Sequence, residues 1–114
     1  MAALNNTSIR YAVTAYCSGI QSLVIVNTYG TIDKWDTGDV TEMDGLFYKV
    51  DCKPSPNITY WNTGKVQTMS AMFFESSTFN SPIRLWDVRN VGDMSNMFES
   101  AFAFNQDIGE WDVR

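Results

Sequence analysis

Asp33, Asp36, Asp39, Glu42 and Asp44 crowd one short stretch of the chain, with Lys34 as the sole basic residue among them. Hard cations such as Ca²⁺ are held by carboxylate and carbonyl oxygens, so Asp33, Asp36 and Asp39 are the metal candidates, although their spacing is not that of an EF-hand loop. A basic partner surface is the other ligand this stretch suits. A second set is periodic: Asp36, Asn62, Asp87 and Asp112 each follow a Trp directly. Arg89 and Arg114 stand two residues beyond Asp87 and Asp112, on the same face of an extended chain and within reach for ion pairs. Asp36, Asn62, Asp87, Arg89 and Asp112 are therefore the candidate partner-binding residues. Their plain structural reading is a solvated ladder that neutralises itself, worth little per pair.

Other chemistry is poorly served. The chain has no histidine, which removes the commonest general base and the commonest neutral metal ligand. It has no C-x-x-C pair and no Gly-rich phosphate loop. No catalytic residue and no cofactor site is nominated, and the chain reads as non-catalytic. A net charge of −5 argues against nucleic acid, since phosphate binding needs a basic footprint. No apolar stretch reaches the length of a membrane span. The opening MAALNNTSIRYAV lacks the basic and apolar regions of a signal peptide. The expectation is either an intracellular protein or a piece of a longer, surface or secreted precursor. At 45% hydrophobic residues over 114, the chain suits one small folded domain rather than disorder.

What positions these residues is a repeat. Trp35, Trp61, Trp86 and Trp111 lie 26, 25 and 25 residues apart. Five residues after each of the first three comes Val40, Val66 or Val91; eight after comes Met43, Met69 or Met94. Leu46-Phe47, Met72-Phe73 and Met97-Phe98 follow in register, and an Ile (Ile32, Ile58, Ile83, Ile108) stands three before every Trp. Periods of this size mark solenoids, in which each unit buries its apolar face against its neighbours. Trp and the residue two later (Thr37, Thr63, Val88, Val113) predict a short inward-facing strand. The spacing of Met94, Met97 and Phe98 predicts a helical turn or two, with Thr41 as an N-cap and Asp44 in an imperfect capping box. Phe79-Asn80 and Phe104-Asn105 read as loop anchors. The first unit is one residue longer, and its return loop VDCKPSPNITY holds Pro54 and Pro56, which predicts an irregular loop.

Residues 1–34 lack the repeat. Asn6, Thr7 and Ser8 can cap a helix through IRYAVTAYC, whose Ile9, Val13 and Tyr16 form one stripe, and Gly19 ends it. Ser22 to Asn27 reads as a strand or buried run. Cys17 and Cys52 leave two readings open: a staple between leader and first unit, or free buried thiols. Asn5, Asn6 and Asn57 are glycosylation acceptors if the chain is secreted.

The phrase from Trp86 to Trp111, W-D-V-x-N-V-x-D-M-S-x-M-F-x-x-A-x-x-F-N-Q-D-I-x-x-W, resembles the BspA-like leucine-rich repeat, and the second unit matches nearly as well. The leader is similar to the segment preceding such arrays in microbial eukaryotes. The resemblance implies a surface or adhesion-type protein that binds other proteins. Together these readings give an α/β repeat: a short right-handed leucine-rich-repeat-like solenoid with a parallel strand ladder. An N-terminal helical cap occupies 1–34, repeats occupy 35–60, 61–85 and 86–110, and a fourth starts at 111. The expected role is a protein-binding or structural scaffold, the alternative a secreted or cell-surface adhesin that binds carbohydrate or proteins, with Ca²⁺ as a possible aid. A protein partner, or more of the array, is expected over the last coil.

Overall fold

The structure is a computed structural model that describes residues 1–19, 22–52 and 55–112. The leader is helical throughout its ordered elements. Helix α1, Ser8–Ser18, buries Ile9, Ala12, Val13 and Ala15 on one side. Its N-terminus is finished by Asn5 together with Ser8, one of the three residues expected from sequence. The Asn5 Oδ1 accepts the N–H groups of Thr7 and Ser8, while Ser8 Oγ accepts the Asn5 N–H, so exposed donors of the first turn are satisfied reciprocally. Gly19, at φ 77°, ends the helix and donates its N–H to the Tyr16 carbonyl, a left-handed position that glycine reaches without strain. The run expected as a strand or buried run is helix α2, Ser22–Tyr29. Its Ile25 is buried, but Leu23 and Val24 are exposed. A single 3₁₀ turn, Ile32–Lys34, leads into Trp35.

The strand-ladder solenoid of leucine-rich-repeat type is overturned. Among the described residues there is no strand, only isolated parallel bridges, Ala3 to Asp36, Glu42 to Thr68 and Thr68 to Asp93. The Trp-x-Thr/Val stretch points inward at both expected positions, since Trp35, Thr37, Trp61, Thr63, Trp86 and Val88 are buried. It is not extended pairing, however. Thr37, Thr63 and Val88 each open a turn, their carbonyls accepting from Val40, Val66 and Val91. The Met and Phe stretch is not helical either, so Thr41 caps nothing. Its side chain and N–H are bonded to the Asn6 amide instead. The radius of gyration is 13.1 Å, about the ~13 Å of a compact domain of this length.

What replaces strand and helix is a ribbon of consecutive turns. Leu46, Tyr48 and Val50 donate their N–H groups three residues back, to Met43, Gly45 and Phe47. The second unit repeats this with Met72, Phe74 and Ser76, and the third with Met97, Glu99 and Ala101. The third residue of alternate turns sits at positive φ: Gly45, Lys49, Ala71, Glu75, Asn96 and Ser100. That conformation belongs to type II turns. It aims the intervening N–H groups out of the ribbon, and the neighbouring unit receives them. Met43, Gly45, Phe47 and Lys49 donate to the carbonyls of Thr68, Ser70, Met72 and Phe74, and Met69, Ala71, Phe73 and Glu75 donate to those of Asp93, Ser95, Met97 and Glu99. These eight N–H groups of the first and second units thus find partners across the stack.

Side chains repeat with the ribbon. Trp35 stacks on Trp61 at 5.9 Å and Trp61 on Trp86 at 6.5 Å. Phe47, Phe73 and Phe98 stack at 5.5 and 5.6 Å. Each later Trp donates its indole N–H to an Ile carbonyl one unit back: Trp61 to Ile32, Trp86 to Ile58 and Trp111 to Ile83. A buried indole N–H needs such a partner, so the Ile and Trp columns are coupled by a hydrogen bond as well as by packing. Cys17 and Cys52 form a disulfide, Cα–Cα 4.6 Å, joining α1 to the return loop of the first unit. Pro54 of that loop lies outside the described residues; Pro56 is buried.

Candidate functional site

Two surfaces compete for a functional role: the outward row that follows each Trp, and the end of the stack formed by the third unit. The row is spent mainly on its own backbone. Asp36 accepts the Gly38 N–H, Asn62 the Gly64 N–H and Asp87 the Arg89 N–H, each through Oδ1. This is the local Asx bond that Asp and Asn make in turns. It explains a recurrent Asp or Asn after Trp without any ligand. Arg89 also closes a fork on Asp87, Nε to Oδ1 and Nη2 to Oδ2, both 3.0 Å. The Arg89 bonds hold the Asp87 carboxyl below the ordinary aspartate value, and the Arg89 guanidinium is held above its own, with Asp112 adding to the field. Asp112 is exposed; its expected partner Arg114 lies outside the described residues, as does Val113.

The acidic candidates of the first unit are dispersed. Asp39 is 3.7 Å from Lys65 of the second unit, and Asp36 faces Gly38 as above. Asp33 is half-buried on the 3₁₀ turn, in a cleft of about 260 Å³ shared with Tyr16, Cys52, Pro56 and Asn57. Among the described residues, no three Asp, Glu, Cys or His side chains gather into a group that could hold a metal ion. The side chains of Asp33, Asp36 and Asp39 are thus not brought together. The glycosylation candidates also differ. Both ends of the Asn6 amide are engaged with Thr41 and Glu42, whereas Asn57 is exposed and accepts from the N–H and hydroxyl of Thr59.

The third-unit end has another character. Met43, Met69, Phe73, Phe79 and Ile83 are at most 1% exposed. Their counterparts Met94, Phe98, Phe104 and Ile108 are only half-buried, and so is Trp111. An apolar cavity of about 360 Å³ opens there, lined by Met94, Met97, Phe98, Ile108, Gly109 and Trp111. The backbone changes as well. Among the described residues, the N–H groups of Met94, Asn96, Phe98 and Ser100, the positions equivalent to those that donate across units elsewhere, meet no backbone carbonyl. Sequence reasoning nominated the residues of the Asp row and expected a cover over the last coil, but named none of the residues that line this edge. The signal was present in the repeat columns, but reading it requires knowing that each unit is covered by the next.

Residues 18–114 match the family described as Mycoplasma protein of unknown function, DUF285, and the chain belongs to that family. No curated protein and no solved structure matches it. Among the described residues no helix is long and apolar enough to cross a membrane.

Proposed function

We propose that this member of the DUF285 family is a non-catalytic protein-binding or scaffold module, and that it docks its partner on the end of the third unit. One observation carries the reading: side chains that are sealed within the stack at Met69, Phe73 and Ile83 recur at Met94, Phe98 and Ile108 around an open apolar cavity. Contiguous apolar surface of this sort marks interaction sites. The outward row is the weaker candidate, because its carboxylates already bind their own backbone and Arg89. Phe98→Glu in the full chain should abolish retention of proteins from a native extract that the unaltered chain and a Tyr60→Glu control both hold. Equal retention by Phe98→Glu would sink the reading.

A second reading, a secreted or cell-surface adhesin as the likeness to BspA-like repeats implies, is favoured by the Cys17–Cys52 disulfide. Disulfides persist in oxidising compartments and are rare in reducing ones. Alkylation and mass measurement of native protein distinguishes the two settings: unmodified cysteines that resist alkylation until reduced support the surface reading, and freely alkylated thiols remove it. The calcium-assisted version of that reading predicts heat on titrating millimolar Ca²⁺; a flat titration ends it.

A further inference from the structure

The cleft at Asp33 is made by the part of the chain that departs from the repeat. The return loops of the second and third units carry Phe79 and Phe104, whose rings stack on Phe73 at 3.8 Å and on Phe98 at 4.2 Å. The first return loop has Pro54 in that register, so it brings no such ring. A space of about 260 Å³ stands where α1, the 3₁₀ turn and this loop meet. The Cys17–Cys52 disulfide fixes α1 to the loop beside it. The walls are largely apolar: Ile32, Cys52 and Pro56 are buried, and Tyr16 packs edge to face with Trp35 at 5.8 Å. Asp33 is the one carboxylate among the described lining residues. It is half-buried, whereas Asp36, Asp39, Glu42 and Asp44 are exposed. Among the described residues its side chain makes no hydrogen bond and no ion pair.

We infer that this cleft binds an alkylammonium group, with the charge at Asp33 and the stem against Tyr16, Ile32 and Pro56. A carboxylate drawn partly out of water is costly unless it is paired, so the cleft favours a cation. Ca²⁺ is poorly served, because it takes about six to eight oxygens and no three acidic side chains gather here. Apolar walls reward a hydrocarbon stem instead. The volume falls below the roughly 300–1,000 Å³ of sites for drug-sized ligands, which suits one slender group. The free acceptors are few as well. Ser55 Oγ already accepts the Asn80 N–H, and Asn57 Oδ1 accepts twice from Thr59. An ammonium carries three donors and a guanidinium five, so the ammonium leaves fewer of its protons unpaired. Lysine side chains and free amines share this head and stem. The site is separate from the third-unit end, and neither reading depends on the other.

The test is titration of the full chain with 1-aminobutane, whose stem equals that of lysine, followed by amide NMR. Saturable shifts are expected at Asp33, Cys52, Ser55 and Asn57. The uncharged 1-butanol, with the same stem, should give none. Asp33→Asn removes the charge with little change of shape and should weaken binding at least about tenfold; its unshifted amides in the second and third units report that it is folded. Lys34→Gln, at the exposed neighbour of Asp33, should leave binding within about twofold. Equal binding of 1-butanol, undiminished binding by Asp33→Asn, or no saturable shift at all would each overturn the inference. Saturation seen only in Lys53→Gln would mean that the chain supplies its own ammonium, and would overturn it too. Once binding is seen, Nα-acetyl-lysine methylamide separates the sources. Binding as tight as that of 1-aminobutane assigns a lysine of a protein partner, and exclusion assigns a free amine.

Discussion

The two ends of the stack are built from the same repeat and finished differently. At the first unit the leader supplies what a preceding unit would have supplied. Gln67 and Gly92 donate their N–H groups to carbonyls one unit back, at Thr41 and Gln67, and Thr41 donates to the Asn6 side chain instead. Trp61 and Trp86 donate to the Ile32 and Ile58 carbonyls, and Trp35, with no earlier unit, donates to Gly30. A disulfide then holds the helix to the first return loop. At the third unit no comparable substitution is seen among the described residues, and Phe98, Phe104 and Trp111 are half-buried. The difference teaches that a unit of this kind does not close itself. Its side chains become a core only when something stands on each side.

The comparison can be broken in several places. The largest effect belongs to the layer covered on both sides. Phe73 is fully buried between Phe47, Phe79 and Phe98, so Phe73→Ala should cost about 3–5 kcal/mol. The chemically identical Phe98→Ala should cost less than half of that. Urea titrations of both variants decide it, and equal losses would mean the third unit is as well packed as the second.

Next comes the disulfide, which closes a separation of 35 residues. By the chain-entropy argument its removal in Cys17→Ser/Cys52→Ser should cost about 3–4 kcal/mol. The loss should appear first as faster amide exchange at the leader and first unit; uniform acceleration across the stack would deny the two ends separate closures. Asn6→Ala should cost about 1–2 kcal/mol, because the N–H groups of Thr41 and Glu42 lose their acceptor. A melting temperature unmoved by this change would show that water replaces the amide.

Backbone conformation gives a smaller, two-signed effect. Gly45 and Ala71 occupy equivalent turn positions at φ 58° and 54°. Gly45→Ala should destabilise by about 1 kcal/mol, and Ala71→Gly should be neutral or stabilising, since the left-handed region costs an L-residue about that much. Thermal melts of the pair read the sign directly.

The smallest effect is acidic. Asp87 and Asp93 both have lowered pKa values, Asp87 chiefly from its Arg89 side-chain bond and Asp93 chiefly from the Ser95 N–H. A carboxylate depressed on folding contributes stability above its unfolded value, and that stability is lost as pH falls through the folded value. The urea midpoint should therefore decline slightly between about pH 5 and pH 2, and Asp87→Asn should flatten part of that decline. An unchanged slope would show that the exposed Arg89 fork is screened to nothing.

Much of this architecture is legible in the chain. The Trp, Ile and Phe columns are core columns, and the residue two after Trp35, Trp61 and Trp86 is buried. Other parts were not legible, for identifiable reasons. The run from Ser22 is short and apolar, and such a run reads equally as strand or helix. The spacing of Met94, Met97 and Phe98 suits one face of a helix but also a ribbon of turns three and four residues apart. Positive φ at Lys49, Ala71, Glu75 and Ser100 is unannounced, because among the six turn positions only Gly45 and Asn96 are residue types that signal it. The candidate site was half legible: the end coil was expected to need a cover, but its residues and its row of donors were not nominated.

The amino-acid sequence by itself determined the period, the inward columns and the outward Asp or Asn, because burial and local Asx bonds depend on side-chain type and spacing alone. The tertiary structure decided how the backbone between those columns runs. Each N–H there could bond within its own segment or to the next unit, and local sequence favours neither. Only the presence of a neighbour at the right height, offering a carbonyl every second residue, selects turns over helix or strand.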